Sequence, residues 1–135
     1  MKRLLFSLAL SLIAMVSMAQ AKYVFYFIGD GMGANQVLAA EMYQAALQGQ
    51  INRVPLLMSQ FPYSGQAATF SASYGITDSA AAGTCLASGK KTNNGMIGQT
   101  PDGEPAYSVA SMLHNEGWAV GIMSSVPVDH ATPAS

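Results

Sequence analysis

One stretch of the chain combines a carboxylate, a hydroxyl and the start of a helix. Asp78 and Ser79 directly precede a run of small helix-forming residues that extends to Ser88. A serine hydroxyl is a weak nucleophile and must be activated by a base or a metal ion. The free N–H groups and the positive dipole end at a helix start favour an anion such as phosphate. The pattern therefore has two interpretations, a nucleophile beside an anion site or an ordinary helix cap.

Two further groups of polar residues occupy comparable positions. Asp30 lies between two glycines directly after the apolar run 22–28, where it either binds a ligand or shapes a glycine turn. Asp129, His130 and Thr132 follow another apolar run, which ends at Val126. An acid, an imidazole and a hydroxyl suit a metal ion, although a surface loop can have the same composition.

The elements that must position these residues alternate between strand and helix patterns. Apolar or small-residue runs predict strands at 22–28, 64–71 and 118–126, and helical periodicity predicts helices at 34–47, 78–88 and 106–115. Residues 55–61 are typical of a short turn or helix. This order predicts an α/β unit with ligands at the carboxyl ends of its strands. Because those ends meet at one edge of a parallel sheet, we expect Asp30, Ser79 and the His130 loop to lie close together.

The apolar faces of two predicted helices define a candidate core, and glycines are expected to end the helices at 49, 89 and 117. The expected core residues are Val37, Leu38, Met42, Ala45, Ala46, Val109, Met112 and Leu113.

The composition restricts what the chain does and how it folds. Of its 135 residues 10% are charged, against about a quarter in ordinary soluble domains, and the formal net charge is −1. So few charges predict that much of this chain is normally buried against further protein. The sequence has no basic patch of the kind that binds nucleic acid. The lone cysteine, Cys85, excludes an intramolecular disulfide and is expected to be a small buried helix residue, whereas His114 is expected to be solvated.

Residues 1–21 have the pattern of a secretory signal peptide. Lys2 and Arg3 precede an apolar run from Leu4 to Val16, and Ala19-Gln20-Ala21 fits a small-residue cleavage site. A spanning helix needs about 20 apolar residues, so the run is short for a membrane anchor. We expect export to a periplasm or the cell exterior, with no stable membrane anchor after cleavage, and a mature unit at 22–135.

Four motifs together resemble the alkaline phosphatase family, in the order and at the separations typical of that family. They are Phe27-Ile28-Gly29-Asp30-Gly31-Met32-Gly33, Thr77-Asp78-Ser79-Ala80-Ala81-Ala82-Gly83-Thr84, Asn94-Gly95-Met96-Ile97-Gly98 and His130-Ala131-Thr132-Pro133-Ala134. The resemblance implies a three-layer α/β sandwich with a mostly parallel central sheet, incomplete in this chain. It also implies hydrolysis of phosphate monoesters through a phosphoserine, with Zn²⁺ and Mg²⁺ as cofactors, and it is consistent with a homodimer of the full-length protein.

The resemblance also implies a role for each matching residue. Ser79 matches the serine that attacks phosphorus and contacts zinc, and Asp30 matches a carboxylate shared by zinc and magnesium. His130 and Thr132 match ligands of the magnesium, and a histidine at the first position is expected to favour zinc or cobalt there. Asp78 resembles the residue that helps to position the phosphate-binding arginine of the family.

The remaining zinc ligands and the arginine of the family lie beyond the matched motifs. We therefore expect residues 1–135 alone to be inactive and marginally folded, because a catalytic zinc needs about three protein ligands. Two alternatives stay open. One is a related phosphodiesterase or sulfatase, against which the Asp78-Ser79-Ala80 motif argues, and the other is a non-catalytic exported binding protein.

Overall fold

The structure, a computed structural model, describes residues 21–135. The predicted signal peptide therefore lies outside the described residues, except for its last position. Within the described range the chain forms helices α1 (Ala34–Leu47), α2 (Ser79–Ser88) and α3 (Val109–Asn115), and a 3-10 helix at Leu57–Gln60. Helices α2 and α3 contact each other. No helix in residues 21–135 has the length and apolar character that crossing a bilayer requires.

The ends of α1 are fixed by local hydrogen bonds. At its start the N–H of Gly33 donates to the side-chain oxygen of Gln36 at 3.0 Å. At its end Gly49 has φ +69°, and the N–H groups of Gly49 and Gln50 donate to carbonyls of the last turn at 3.0 and 2.9 Å. This pair of bonds around a left-handed glycine is a Schellman motif. The predicted bounds of α1 and its glycine stop are confirmed.

Helices α2 and α3 also end at the predicted glycines but begin later than predicted. Asp78 is the N-cap of α2, so the first helical residue is Ser79, and Gly89 ends this helix with φ +73°. The helix predicted from Ala106 begins at Val109, because the Ser108 side chain accepts a hydrogen bond from the Ser111 N–H at 3.1 Å and caps it there. In both cases a short polar side chain, rather than the apolar pattern, sets the start.

The three predicted strands do not form in the described part of the chain. Residues 22–28, 64–71 and 118–126 have no strand hydrogen-bond ladder, and the one bridge within residues 21–135 is an isolated antiparallel pair, Gln99 with Pro105. An apolar segment becomes a strand only when a neighbouring segment pairs with its N–H and C=O groups. Here the segments have no strand partner, and their large apolar side chains are mostly exposed, with Phe25 at 79% and Phe27 at 87%.

The core of the described residues is smaller than predicted. Ala45 is buried as expected, but Leu38, Met42, Val109 and Met112 are each between 44% and 53% exposed. The buried apolar residues are all alanines, at positions 45, 80, 81 and 106. Cys85 is half-buried rather than buried, and His114 is exposed as predicted. The larger apolar side chains of both helix faces are therefore only partly covered within residues 21–135.

Glu41 is the most deeply buried charged residue that sequence reasoning missed. It is 1% exposed, and its carboxylate accepts hydrogen bonds from Ser59 Oγ at 2.6 Å, from the Leu56 N–H at 3.1 Å and from Arg53 Nη1 at 2.9 Å. The bonds from Ser59 and Leu56, and then Arg53, hold the pKa of Glu41 below its usual value, against the opposing effect of burial. One carboxylate thus attaches residues 53–59 to α1.

We expect Glu41→Gln to destabilise the fold at neutral pH and to make it less sensitive to acid. Because the folded-state pKa of Glu41 is lowered, the unfolded state binds more protons between the two pKa values. The stabilisation is therefore complete above the ordinary glutamate value of about 4.3 and is lost as the pH falls through the lower folded-state value. Urea unfolding of the full-length gene product should show the largest difference between wild type and variant at pH 7.

The matched control for this experiment is Glu104→Gln, since Glu104 is exposed. Its unfolding midpoint should follow that of the wild type at every pH. A Glu41→Gln midpoint that also follows the wild type, both at pH 7 and in acid, would show that the buried carboxylate does not attach this segment.

Candidate active site

Asp30 joins three segments that are far apart in sequence. Its Oδ1 accepts a hydrogen bond from Ser79 Oγ at 3.1 Å across 49 positions, and its Oδ2 accepts one from Thr132 Oγ1 at 2.8 Å across 102 positions. The turn that presents Asp30 is closed by the Met32 N–H on the Gly29 carbonyl at 3.2 Å. It also needs Gly31, whose φ of +68° is a conformation that other residues rarely adopt. The structure thus brings together three of the four predicted ligand residues.

Ser79 is the first residue of α2, and both carboxylate oxygens of its neighbour Asp78 accept hydrogen bonds from backbone N–H groups. Asp78 Oδ1 accepts from the Ala81 N–H at 2.8 Å, and Oδ2 accepts from the Gly95 N–H at 2.6 Å. The helix-cap interpretation is therefore confirmed for Asp78. The N–H groups of Ser79 and Ala80 belong to the same first turn, where backbone N–H groups have no intrahelical acceptor. The hydroxyl of the half-buried residue Ser79 thus lies at the positive end of the helix.

Thr132 is positioned by a short turn that packs on α2. The Ala134 N–H donates to the His130 carbonyl at 3.0 Å, and Ser135 Oγ donates to the Ala131 carbonyl at 2.7 Å. This turn lies directly against Gly83, where a Cβ atom would be 2.6 Å from Ser135 Oγ, 3.1 Å from Ser135 Cβ and 3.5 Å from Thr132 Cα. Gly83 lies one helical turn after Ser79, on the same face of α2. The absence of a side chain at this position lets the Thr132 turn approach the helix that carries Ser79.

The resemblance implies hydrolysis of phosphate monoesters, and we expect Gly83→Val to lower the kcat of this reaction by displacing the Thr132 turn. A misplacement of about 1 Å near a reacting group can cost up to about a hundredfold in rate. Valine is no worse a helix former than glycine, so a lower kcat would result from the contact with the Thr132 turn and not from helix propensity. Gly83→Ala is the smaller step of a graded pair: its methyl group already lies 2.6 Å from Ser135 Oγ, while it improves helix propensity by about 1 kcal/mol, so its loss of kcat should be smaller than that of Gly83→Val. The measurements are kcat and the unfolding midpoint of the full-length gene product; wild-type kcat in Gly83→Val would contradict this interpretation.

His130 is not joined to the other predicted ligands by a hydrogen bond in the described part of the chain. It is exposed, and its backbone N–H donates to the Pro127 carbonyl at 3.0 Å. Residues 21–135 contain no group of three or more His, Cys, Asp or Glu side chains that could hold a metal ion. The histidine therefore lies near Thr132 in sequence, and within residues 21–135 its imidazole makes no hydrogen bond to Asp30, Ser79 or Thr132.

The donor atoms around Asp30 suit a hard cation. The hydroxyls of Ser79 and Thr132 each lie within hydrogen-bond distance of one oxygen of the Asp30 carboxylate. Oxygen ligands of this kind are preferred by Mg²⁺, which also keeps several waters. A zinc site usually takes about three protein ligands, often with nitrogen or sulfur donors, and the described residues supply only part of such a set. The cluster therefore fits one oxygen-rich portion of a metal centre.

Sequence reasoning missed the role of the turn that follows α2. The side chain of Asn94 accepts a hydrogen bond from the Asp78 N–H at 3.2 Å and donates to the Ile76 carbonyl at 3.1 Å. Thr84 is 1% exposed, and its hydroxyl accepts from the Gly98 N–H at 2.9 Å. The Asn94-Gly95 dipeptide was a usable signal for a turn, but nothing local to it indicates which segment it contacts.

A serine hydroxyl at a helix start, held beside a carboxylate that also binds a threonine hydroxyl, is the kind of site found in hydrolases with a serine nucleophile. Comparison with known proteins narrows this class to one family. The family model described as "Alkaline phosphatase" matches residues 21–135. The chain belongs to the alkaline phosphatase family, and the resemblance carried by its four motifs is confirmed. That membership implies an α/β fold.

Three curated relatives illustrate the similarity and its extent. The tissue-nonspecific isozyme of alkaline phosphatase from Gallus gallus is 35% identical over 126 residues, which cover 85% of this chain and 24% of the relative. The tissue-nonspecific isozyme from Homo sapiens is 32% identical, over 85% of this chain and 24% of the relative. Alkaline phosphatase 4 from Drosophila melanogaster is 32% identical, over 86% of this chain and 21% of the relative. The chain thus spans about a quarter of the length of the relatives that it matches.

Proposed function

We propose that the full-length protein containing these residues hydrolyses phosphate monoesters with Ser79 as its nucleophile. The observation that carries the proposal is the 3.1 Å hydrogen bond from Ser79 Oγ to Asp30 Oδ1, with Thr132 on the other oxygen of the same carboxylate. Membership of a family whose matched relatives are named alkaline phosphatases supports the same reaction.

The reaction follows from the chemistry of a serine hydroxyl. Ser79 Oγ attacks the phosphorus, the bond from phosphorus to the ester oxygen breaks, and the alcohol leaves with a proton. Water then attacks the phosphoserine, which releases inorganic phosphate and restores the Ser79 hydroxyl with its proton. In each step the start of α2 presents its dipole to the phosphoryl oxygens. Asp30 orients the hydroxyl by accepting its hydrogen bond.

We further propose Asp30, Ser79, His130 and Thr132 as metal ligands, with Zn²⁺ and Mg²⁺ as the cofactors. When bound, such ions supply Lewis-acid stabilisation of the oxygens around the phosphorus. Asp30 and Thr132 provide hard oxygens that suit magnesium, while His130 would shift the preference of its site toward zinc or cobalt. The remaining ligands and a phosphate-binding arginine, which Asp78 would help to position, would come from other parts of the longer protein.

The extent of the match leads to further proposals about the polypeptide. Because residues 21–135 correspond to about a quarter of the length of the relatives, we propose that they form one part of a three-layer sandwich with a mostly parallel central sheet. The exposed apolar segments 22–28 and 118–126 would then pair with strands from the rest of that sheet. Residues 22–135 alone should show no phosphatase activity. Export through the signal at 1–21 would place the enzyme in a periplasm or outside the cell, and the resemblance is consistent with a homodimer of the full-length protein.

The proposal is tested with the full-length gene product, zinc, magnesium and p-nitrophenyl phosphate. We expect turnover, and acid quenching followed by peptide mass spectrometry should find the phosphoryl group on Ser79. The corresponding diester and the sulfate ester distinguish a related phosphodiesterase or sulfatase. Turnover of those substrates in preference to the monoester, or binding of the monoester without hydrolysis, would contradict the proposal.

A further inference from the structure

The turn after α2 contains an asparagine whose carboxamide lies against the segment that leads into Ser79. We call residues 93–98 the Asn94 turn. The Met96 N–H closes it on the Asn93 carbonyl at 3.1 Å, and Gly95 has φ +83° at the third position. A positive φ at that position is the geometry of a type II turn, which glycine adopts without strain. Asn94 is therefore the second residue of a hydrogen-bonded turn.

Both ends of the Asn94 carboxamide bond the backbone just before the nucleophile. Its Oδ1 accepts from the Asp78 N–H at 3.2 Å, and its Nδ2 donates to the Ile76 carbonyl at 3.1 Å. The next residue of the turn adds a third bond, from the Gly95 N–H to Asp78 Oδ2 at 2.6 Å. A carboxamide used in this way imitates a paired backbone amide and fixes segment 76–78 in one orientation.

The same turn is also attached to α2 beyond Ser79. The buried hydroxyl of Thr84 accepts from the Gly98 N–H at 2.9 Å and donates to the Met96 carbonyl at 3.3 Å. The Asn94 turn therefore bonds the chain on both sides of Ser79. Since the backbone passes directly from Asp78 into the helix, the orientation of segment 76–78 sets where the Ser79 hydroxyl lies relative to Asp30.

We propose that Asn94 is a positioning residue for the reaction, which holds Ser79 Oγ at its distance from the Asp30 carboxylate. The inference rests on the proposed function, since it concerns the placement of the proposed nucleophile. Asn94 does not touch the reacting atoms; it acts through the Ile76 carbonyl and the Asp78 N–H. It is thus distinct from a residue that only stabilises the fold, and its loss should affect the chemical step more than substrate binding.

The test compares Asn94→Ala with wild type in the full-length gene product. At a temperature well below the unfolding midpoint, the kcat per folded molecule should fall about ten- to a hundredfold, because the nucleophile is misplaced. KM should stay within about twofold, which is the pattern of an effect on the transition state rather than on binding. As a readout independent of turnover, the amide of Asp78 should exchange its hydrogen faster, since its acceptor is gone.

Ser73→Ala is the matched control for a merely structural role. Ser73 Oγ accepts a hydrogen bond from the Asn94 N–H at 3.0 Å, so this variant weakens the same turn without removing the bonds to segment 76–78. Its kcat per folded molecule should equal that of the wild type, even if the unfolding midpoint falls. A kcat loss in Ser73→Ala as large as that in Asn94→Ala would overturn the positioning role.

The remaining outcomes are also decisive. A wild-type kcat in Asn94→Ala would overturn the inference while leaving the proposed function intact. If Asn94→Ala does not fold, Asn94→Asp decides, because it keeps the acceptor for the Asp78 N–H but has no donor for the Ile76 carbonyl; an unchanged kcat in that variant would overturn the inference. If wild type does not hydrolyse the monoester, or Ser79→Ala is equally active, the proposed function fails first and the positioning role fails with it.

Discussion

Replacing Ser79 with alanine should lower the kcat for a phosphate monoester by about a thousandfold or more. Alanine has no oxygen to attack phosphorus, so the proposed phosphoserine cannot form. The substitution should cost little stability, because Ser79 is the first residue of α2 and alanine is the better helix former. The expected result is thus a folded protein with the unfolding midpoint of the wild type and almost no turnover. Steady-state kinetics on p-nitrophenyl phosphate, with a thermal unfolding curve for each protein, measure both quantities.

Ser88→Ala provides the matched control on the same helix. Ser88 is the last residue of α2, and its hydroxyl donates to the Thr84 carbonyl at 2.6 Å, at the end of the helix opposite Ser79. Its removal should leave kcat unchanged. The nucleophile assignment would be wrong if Ser79→Ala kept more than about a tenth of the wild-type kcat, since loss of a nucleophile costs far more than that.

The helices could be predicted from sequence because their ends depend on nearby residues. The bounds of α1 follow from its apolar periodicity and from Gly49, whose left-handed conformation closes the helix. Gly89 and Gly117 end the other two helices in the same way. Where the prediction missed a start, at Val109, a serine cap outweighed a weak periodic pattern over the preceding residues. Each of these determinants lies within a few residues of the helix end that it sets.

The strands and the core could not be predicted in the same way, because they depend on distant partners. The run 22–28 has the composition of a buried strand, yet its side chains are exposed in the described chain and no segment pairs with it. The same holds for the apolar face of α3, where Met112 is 49% exposed. The composition of a segment indicates that it suits burial, but which residues cover it depends on the tertiary fold. The low charge content of the chain was the sequence signal that these partners are needed.

The candidate site likewise contains residues that could be predicted from local motifs and residues whose roles depend on distant segments. Asp30, Ser79 and Thr132 were identified from motifs, and their mutual hydrogen bonds bring them together in the structure. Asn94 and Gly83 lie within the same motifs, but no role was predicted for them, because their contacts are with segments distant in sequence. A carboxamide or a missing side chain carries no chemical signal by itself. Its importance depends on which segment lies beside it, and only the folded arrangement shows that.

Asp30→Asn should lower kcat by about a hundredfold or more, since it removes an oriented charge from the site. Asp30 accepts one hydrogen bond on each carboxylate oxygen, at 3.1 Å from Ser79 and 2.8 Å from Thr132. Asparagine has a single acceptor oxygen and an NH₂ group that only donates. One of the two hydroxyls must therefore turn around or lose its bond. The substitution also removes the negative charge that the proposed cation site requires.

Two measurements separate these effects of Asp30→Asn. Metal analysis of the dialysed full-length gene product should show reduced magnesium or zinc, and kcat at saturating metal should remain low because the two hydroxyls are no longer held together. Asp102→Asn is the control, an identical change at an exposed loop position, and should alter neither quantity. If Asp30→Asn bound wild-type amounts of metal and kept its kcat, the carboxylate would serve only to shape the turn between Gly29 and Gly31. A loss of kcat with full metal occupancy would instead assign Asp30 to orienting Ser79, because the isosteric amide leaves the shape of the turn unchanged.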